Sequence, residues 1–178
     1  MELRPDFQLQ TVIKALTDVV LPAVDVHNQL ALEQARLAIG VLQMVAQHLP
    51  LMYRYDRDEL ARLLALANTL KHTAAELPKA AAALHMIAAS VERGGHVLDR
   101  ARADPCELHQ ANAALRKQLG AWVTAVYAGE DFNQLKPIST AVTAHAREQL
   151  LRERAWLVAQ GWEGDGPAIP AIETLLAD

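Results

Sequence analysis

Residues 56–76 read DRDELARLLALANTLKHTAAE. Leu60, Leu63, Leu64, Ala67, Leu70 and Ala74 recur every three or four positions, the period that lines one face of an α-helix. Asp56 and Glu59 have capping-box spacing at its start, with Tyr55 and Leu60 placed as a hydrophobic staple. One apolar stripe on one rod must be hidden against other rods, so this stretch predicts a helical packing partner on either side.

The flanking sequence repeats the pattern. Leu9, Val12, Ile13, Leu16, Val19 and Val20 mark a first helix over 6–20, with Asp6 placed to cap it. Pro22 cannot bond back to Asp18, so a break or kink is expected there, opening a second helix over 22–49. That helix is apolar around most of its circumference and is expected to sit centrally. Pro50 ends it, and 51–55 reads as a loop. After 56–76, Pro78 opens a fourth helix with Leu84, Ile87, Val91 and Leu98 inward, and Gly94-Gly95 either bends it or admits a close neighbour. Asp104, Pro105 and Glu107 start a fifth, lined by Leu108, Ala111, Leu115, Leu119, Trp122 and Val126. A sixth runs from Pro137 to Gln160 and stops at Gly161. Residues 161–178 read as a loop and a short last helix from Pro170. The expectation is an all-α, antiparallel up-and-down helical bundle of five to six helices, one domain over 1–178.

The 178 residues are 52% hydrophobic, 21% charged and only 4% aromatic. That is a globular balance, rich in the helix formers Ala and Leu. The net charge of −4 comes without a basic stripe, so nucleic-acid binding is not expected. No apolar run reaches the length of a membrane span and the N-terminus lacks a signal pattern, so a soluble protein is expected. Cys106 is the single cysteine, which fits a reducing cytoplasm.

Four constellations bear on function. The wheel places His27, Asn28 and Gln34 inward on the second helix and Asn112 inward on the fifth. Buried polar groups need partners, so these residues either satisfy one another or line a pocket for a small apolar or acyl ligand. His85, Glu92, His96 and Asp99 share a strip of the fourth helix. Imidazole and carboxylate at i, i+4 spacing there would suit a single metal ion, or simply a solvated face. On the sixth helix Ile138, Val142, His145, Gln149, Arg152 and Trp156 share a face that is polar in its middle, as in a helix sandwiched between a bundle and a second subunit. The alternative is a peripheral helix with Glu148 and Arg152 paired in water. Cys106 with His109 three residues on leaves a thiol–imidazole pair open, but an ordinary thiol is the simpler reading. Glu-x-x-His, phosphate-loop and nucleophile-elbow motifs are absent from the sequence, so no cofactor is expected.

Val19-Val-Leu-Pro-Ala23 followed by HNQLALEQARLAIGVLQMVAQHL (27–49) resembles a family of small bacterial helical proteins encoded near acyl-CoA dehydrogenase and aminoglycoside-phosphotransferase-like genes. The resemblance implies a helical bundle and a link to fatty-acyl metabolism, and it brings no catalytic residues. Taken together, the sequence reads as a non-catalytic interaction protein forming a homodimer or other homo-oligomer, with a protein partner as a further possibility and Tyr53, Tyr55, Trp156 and Trp162 as interface anchors.

Overall fold

The computed structural model describes residues 4–129, 131–158, 161 and 168–176, and only the backbone of Phe132. Every regular element among them is helical, as the periodicity requires. The principal helices are α1 (Pro5–Ala15), α3 (Gln29–His48), α4 (Met52–Ala74), α6 (His85–Asp99), α7 (Pro105–Gly129) and α8 (Lys136–Leu157), with short α2 (Leu21–Ala23), α5 (Pro78–Ala82) and α9 (Ile172–Leu175). None of the described helices is long and apolar enough to cross a membrane. Contacts gather into two compact units: residues 1–52 with 153–173, and residues 53–152 with 174–178.

The second unit holds the main core. Leu60, Leu63, Ala67, Leu70 and Ala74 of α4 are all buried, and they pack with Ile87 and Val97 of α6 and with Leu108, Leu115, Leu119, Trp122 and Val126 of α7. The stripe from Leu60 to Ala74 is therefore the centre of this unit. The helices stay close because Gly94 carries no side chain. A Cβ there would lie 3.3 Å from Leu60 Cδ1 and 3.4 Å from Leu64 Cδ2, while one at Gly95 would meet nothing within 4 Å. The glycine pair does not break α6, which runs through it.

The N-terminus of α7 forms as the spacing predicts, in part. Asp104 Oδ1 accepts from the Cys106 and Glu107 amides at 2.8 and 3.4 Å, and Pro105 takes the first helical position. Glu107 does not close the box. Its carboxylate pairs with Arg100 at 2.7 Å. Gly161, at φ 69°, donates its amide to the Val158 carbonyl at 3.0 Å, which is how a glycine ends a helix.

The first unit departs from the sequence reading in three ways. Pro22 does not break the chain. Leu16–Val20 widens into a π-helical turn, with the Leu21 amide bonding back to the Leu16 carbonyl, and Pro22 sits in α2 beyond it. One extra residue in the turn accommodates a ring that has no N–H to give. The break falls at Val24, where ψ reaches 134°. The second long helix therefore starts at Gln29 rather than Pro22. Asn28 caps it, with its Oδ1 accepting from the Ala31 amide at 3.1 Å. Nor is that helix centrally buried. Of its residues only Ile39, Ala46 and His48 are buried, and the small core of this unit is Ile13, Ile39 and Ala46 with Leu9, Leu16, Leu21 and Leu42 against them.

The expected loop over 51–55 is also absent. A single 3-10 turn, Leu49–Leu51, follows α3, and α4 begins at Met52. Pro50 ends one helix, and its fixed φ suits the entry to the next. Asp56 and Glu59 consequently lie inside α4 and not at its cap.

Gly95→Ala should raise the unfolding free energy by about 0.5–1 kcal/mol, the helix-propensity difference at an open position. Gly94→Leu should lower it by about 2 kcal/mol or more by forcing Leu60 and Leu64 out of their rotamers. Urea titrations followed by circular dichroism check both.

Candidate functional site

Because α4 starts early, Asp58 and Glu59 project into the protein one turn before Leu63. Both side chains are 5% exposed. Unpaired carboxylates at that depth would be costly, and each meets a guanidinium. Asp58 Oδ2 lies 2.9 Å from Arg152 and 2.8 Å from Arg62. Glu59 Oε2 lies 2.9 Å from Arg116.

Arg152, on α8, is the most buried of these cations at 1% exposure. Its Nη1 donates to Gln149 Oε1 at 2.8 Å and its Nη2 to the Tyr55 carbonyl at 3.4 Å. The guanidinium carbon stands 4.4 Å from the centre of the Tyr55 ring, within cation–π range. Its Nε has no hydrogen-bond partner among the described residues. Arg62 extends the network to Glu148 at 3.0 Å and to the Leu175 carbonyl at 3.1 Å, and Arg54 reaches the Leu176 carbonyl at 2.8 Å. The C-terminal residues are thus tied to α4 by two arginines.

Three carboxylates, Asp58, Glu59 and Glu148, meet three guanidiniums. With opposite charges this closely matched, the cluster orders helices and holds them in register rather than presenting a free base or nucleophile. Glu148 and Arg152 are not a solvent-exposed pair: Glu148 pairs with Arg62, and Arg152 is buried on Asp58. Arginine serves this position because its planar fork satisfies a carboxylate, an amide oxygen and an aromatic face at once.

The residues singled out for a ligand pocket fall in two different units. His27 is exposed in the turn before α3, its backbone amide bonded to Asp25 Oδ1 at 2.9 Å. Asn28 is the exposed cap described above. The wheel that turned them inward does not apply, because neither is in a helix. Gln34 is exposed on α3. Asn112 is fully buried in the other unit, where its Nδ2 donates to the Asp56 carbonyl at 2.9 Å. It ties α7 to α4.

His85, Glu92, His96 and Asp99 do fall on one exposed side of α6. Glu92 and His96 approach to 4.0 Å at 77% and 78% exposure. His85 Nδ1 turns away to the Ala82 carbonyl at 2.8 Å. Among the described residues no three His, Cys, Asp or Glu side chains converge to hold a metal ion. Cys106 is an exposed free thiol. Trp156 packs its ring on His48, with centroids 4.1 Å apart. Trp162 lies outside the described residues.

The feature that the wheel misassigned is an apolar surface. Leu30, Leu37, Val41 and Val45 of α3 are 68%, 49%, 40% and 39% exposed. At 100° per residue these four fall on one face with Ala38, interrupted by Gln34, and away from buried Ile39 and Ala46. Phe7, Val12, Val19, Val20 and Val26 of the same unit are exposed as well. The apolar pattern was legible in sequence, but which side of it would be covered was not. Comparison with protein-family models, with curated proteins and with solved structures gives no match for this chain.

Arg152→Ala should cost about 3 kcal/mol of unfolding free energy by leaving Asp58 with one buried partner fewer, and the Asp58→Leu/Arg152→Met double variant should lose less than the sum of the two single changes. A urea-denaturation loss below about 1 kcal/mol for Arg152→Ala would show that the pair does not constrain the fold.

Two histidines give the fold a pH dependence. Burial pushes the His48 pKa down, against the pull of the Glu173 carboxylate. Burial also pushes His145 down, opposed by Glu148 and reinforced by Arg62 and Arg152. In both cases the unfolded chain binds the proton more readily. Stability is therefore full above the unfolded value of about 6.5 and is lost as pH falls through it toward the folded values. Denaturation midpoints at about pH 7.5 and about pH 5.5 should differ in that direction, and His145→Gln should narrow the difference.

Proposed function

We propose that this protein is a non-catalytic interaction module, an antiparallel helical bundle that forms a homodimer through the apolar face of α3. The observation that carries this reading is the exposure of Leu30, Leu37, Val41 and Val45 on one side of a single helix. Contiguous apolar surface of this kind marks a surface that another molecule covers. The helix offers little charge to prevent self-pairing: its ionisable residues are Glu33, Arg36 and His48, and His48 is buried.

The spacing favours a second copy. A two-fold axis crossing α3 between Leu37 and Ala38 would set Leu30 against Val45 of the other copy, Gln34 against Val41, and Leu37 against Ala38. Such a self-complementary face is what an isologous dimer needs. Size bounds the affinity. A 20-residue helix about 30 Å long and about 10 Å wide offers roughly 300 Å² per partner, below the roughly 800 Å² of a standard interface. Phe7, Val12, Val19 and Val20 supply further apolar surface in the same unit. The affinity that fits is micromolar rather than nanomolar.

Residues 19–49, which carry the resemblance to the bacterial family, include this whole face, so membership would place the interface in the family's own segment. A reducing, cytoplasmic setting suits the exposed Cys106 thiol. The sequence reading set the sixth helix against a second subunit; this proposal uses α3 instead, because Arg152 and Ile138 of α8 are buried.

Sedimentation velocity at concentrations from about 1 to about 100 μM should show a concentration-dependent dimer. Leu37→Glu/Val41→Glu should shift it to monomer while helicity by circular dichroism is unchanged. A chain that stays monomeric over that range, or a double variant that dimerises as before, would overturn the assignment.

A further inference from the structure

We propose that the groove between α4 and α6 binds a small amphipathic carboxylate, an aliphatic or aromatic body carrying one anionic head. This site is separate from the α3 face and does not rest on the dimer.

The groove has a volume of about 360 Å³, at the small end of the range for ligand pockets. Ala67 and Ile87 form its buried floor, with Leu84 and Val91 half-buried beside them. Two helices that touch along one stretch leave it open along the next. Gly94 lets α6 close on Leu60 and Leu64. Beyond that contact, toward Lys71 and His85, larger spacing opens the apolar seam.

The same contacts fix the polarity of the groove. Leu60 and Leu64 lie against Gly94, whereas Ala67, Asn68 and Lys71 line the groove with the segment from Leu84 to Glu92. Numbering therefore rises along α4 as it falls along α6, and Lys71 and His85 share one end while Glu92 lies toward the other. At the first end Lys71 has no hydrogen-bond or ion-pair partner among the described residues, and Asn68 stands one turn away on the same helix. His85 Nδ1 donates to the Ala82 carbonyl, so Nε2 of the neutral ring is an acceptor and the donors for an anion at this end are Lys71 and Asn68. At the second end Glu92 is exposed and stands 4.0 Å from His96. The Lys71 end is therefore the cationic one, with Glu92 about 10 Å away along α6 at the other, so a charged head bound beside Asn68 and Lys71 is an anion.

Length sets the body. The eight residues from His85 to Glu92 span about 10 Å of helix, the reach of an extended eight-carbon chain. A carboxylate bonded to Lys71 and Asn68 would lay such a chain along Leu84, Ile87 and Val91 and remove that apolar surface from water.

The test is a titration of the ¹⁵N-labelled full-length protein with octanoate. Amide shifts should saturate for residues 67–71 and 84–92 at about 1 mM or below. Lys71→Met, at an exposed position that leaves the helix intact by circular dichroism, should weaken binding about tenfold. Ala88→Trp, which fills the groove from its exposed edge, should abolish it. Octylamine, with the same chain and the opposite charge, should produce no saturable shift there. Equal binding of octylamine, unchanged affinity in Lys71→Met, or the absence of saturable shifts in these two segments would overturn the proposal. Octanoate shifts confined to residues 30–45 would overturn it too, and would report on the α3 face instead.

Discussion

Arg152 and Asp58 meet at 2.9 Å with almost no access to water, and much of the second unit's order follows from that contact. A carboxylate and a guanidinium removed from solvent lose several kcal/mol of hydration each, which only close geometry and further hydrogen bonds recover. Tyr55, Gln149 and Arg62 supply these. The pair therefore tolerates few alternative placements of α8 on α4, whereas a Leu-on-Leu contact would allow sliding. Asn112 adds a similar constraint between α7 and α4. Apolar burial provides the driving force, and a few satisfied polar contacts select the register.

The two units use their hydrophobic residues differently. In the second unit the apolar stripes of α4, α6 and α7 are consumed by one another. In the first, α1 and α3 bury few residues, and four large aliphatic side chains of α3 remain in water. A helix with more apolar surface than its own unit covers keeps that surface in water, which is what the proposed dimer would relieve. The α4/α6 groove is a smaller opening of a different kind, an apolar seam with Lys71, unpaired among the described residues, at one end.

Much of the architecture could be read from residue spacing. The α4 stripe, the buried face of α7 and the Asp104-Pro105 start are local properties of the backbone and side chains, and they appear where the pattern puts them. The Pro22 break, the Asp56 cap and the inward His27 and Asn28 do not. Each depended on where a helix begins, and a shift of a few residues rotates every side chain counted from that start. The Asp58–Arg152 and Glu59–Arg116 pairs join residues 94 and 57 positions apart in the chain, and nothing in local spacing announces such partners. The one available signal was α8 itself, whose face turns polar at Gln149 and Arg152 between apolar Ile138 and Trp156.

By itself, then, the sequence determined that this chain is helical and where most of its rods run, because a 3.6-residue period acts within a single turn of backbone. The tertiary structure alone decided which apolar faces are covered, which charges are buried together and which apolar surface stays exposed. Those outcomes depend on the meeting of distant segments, where the gain from burial must exceed the cost of dehydrating charge.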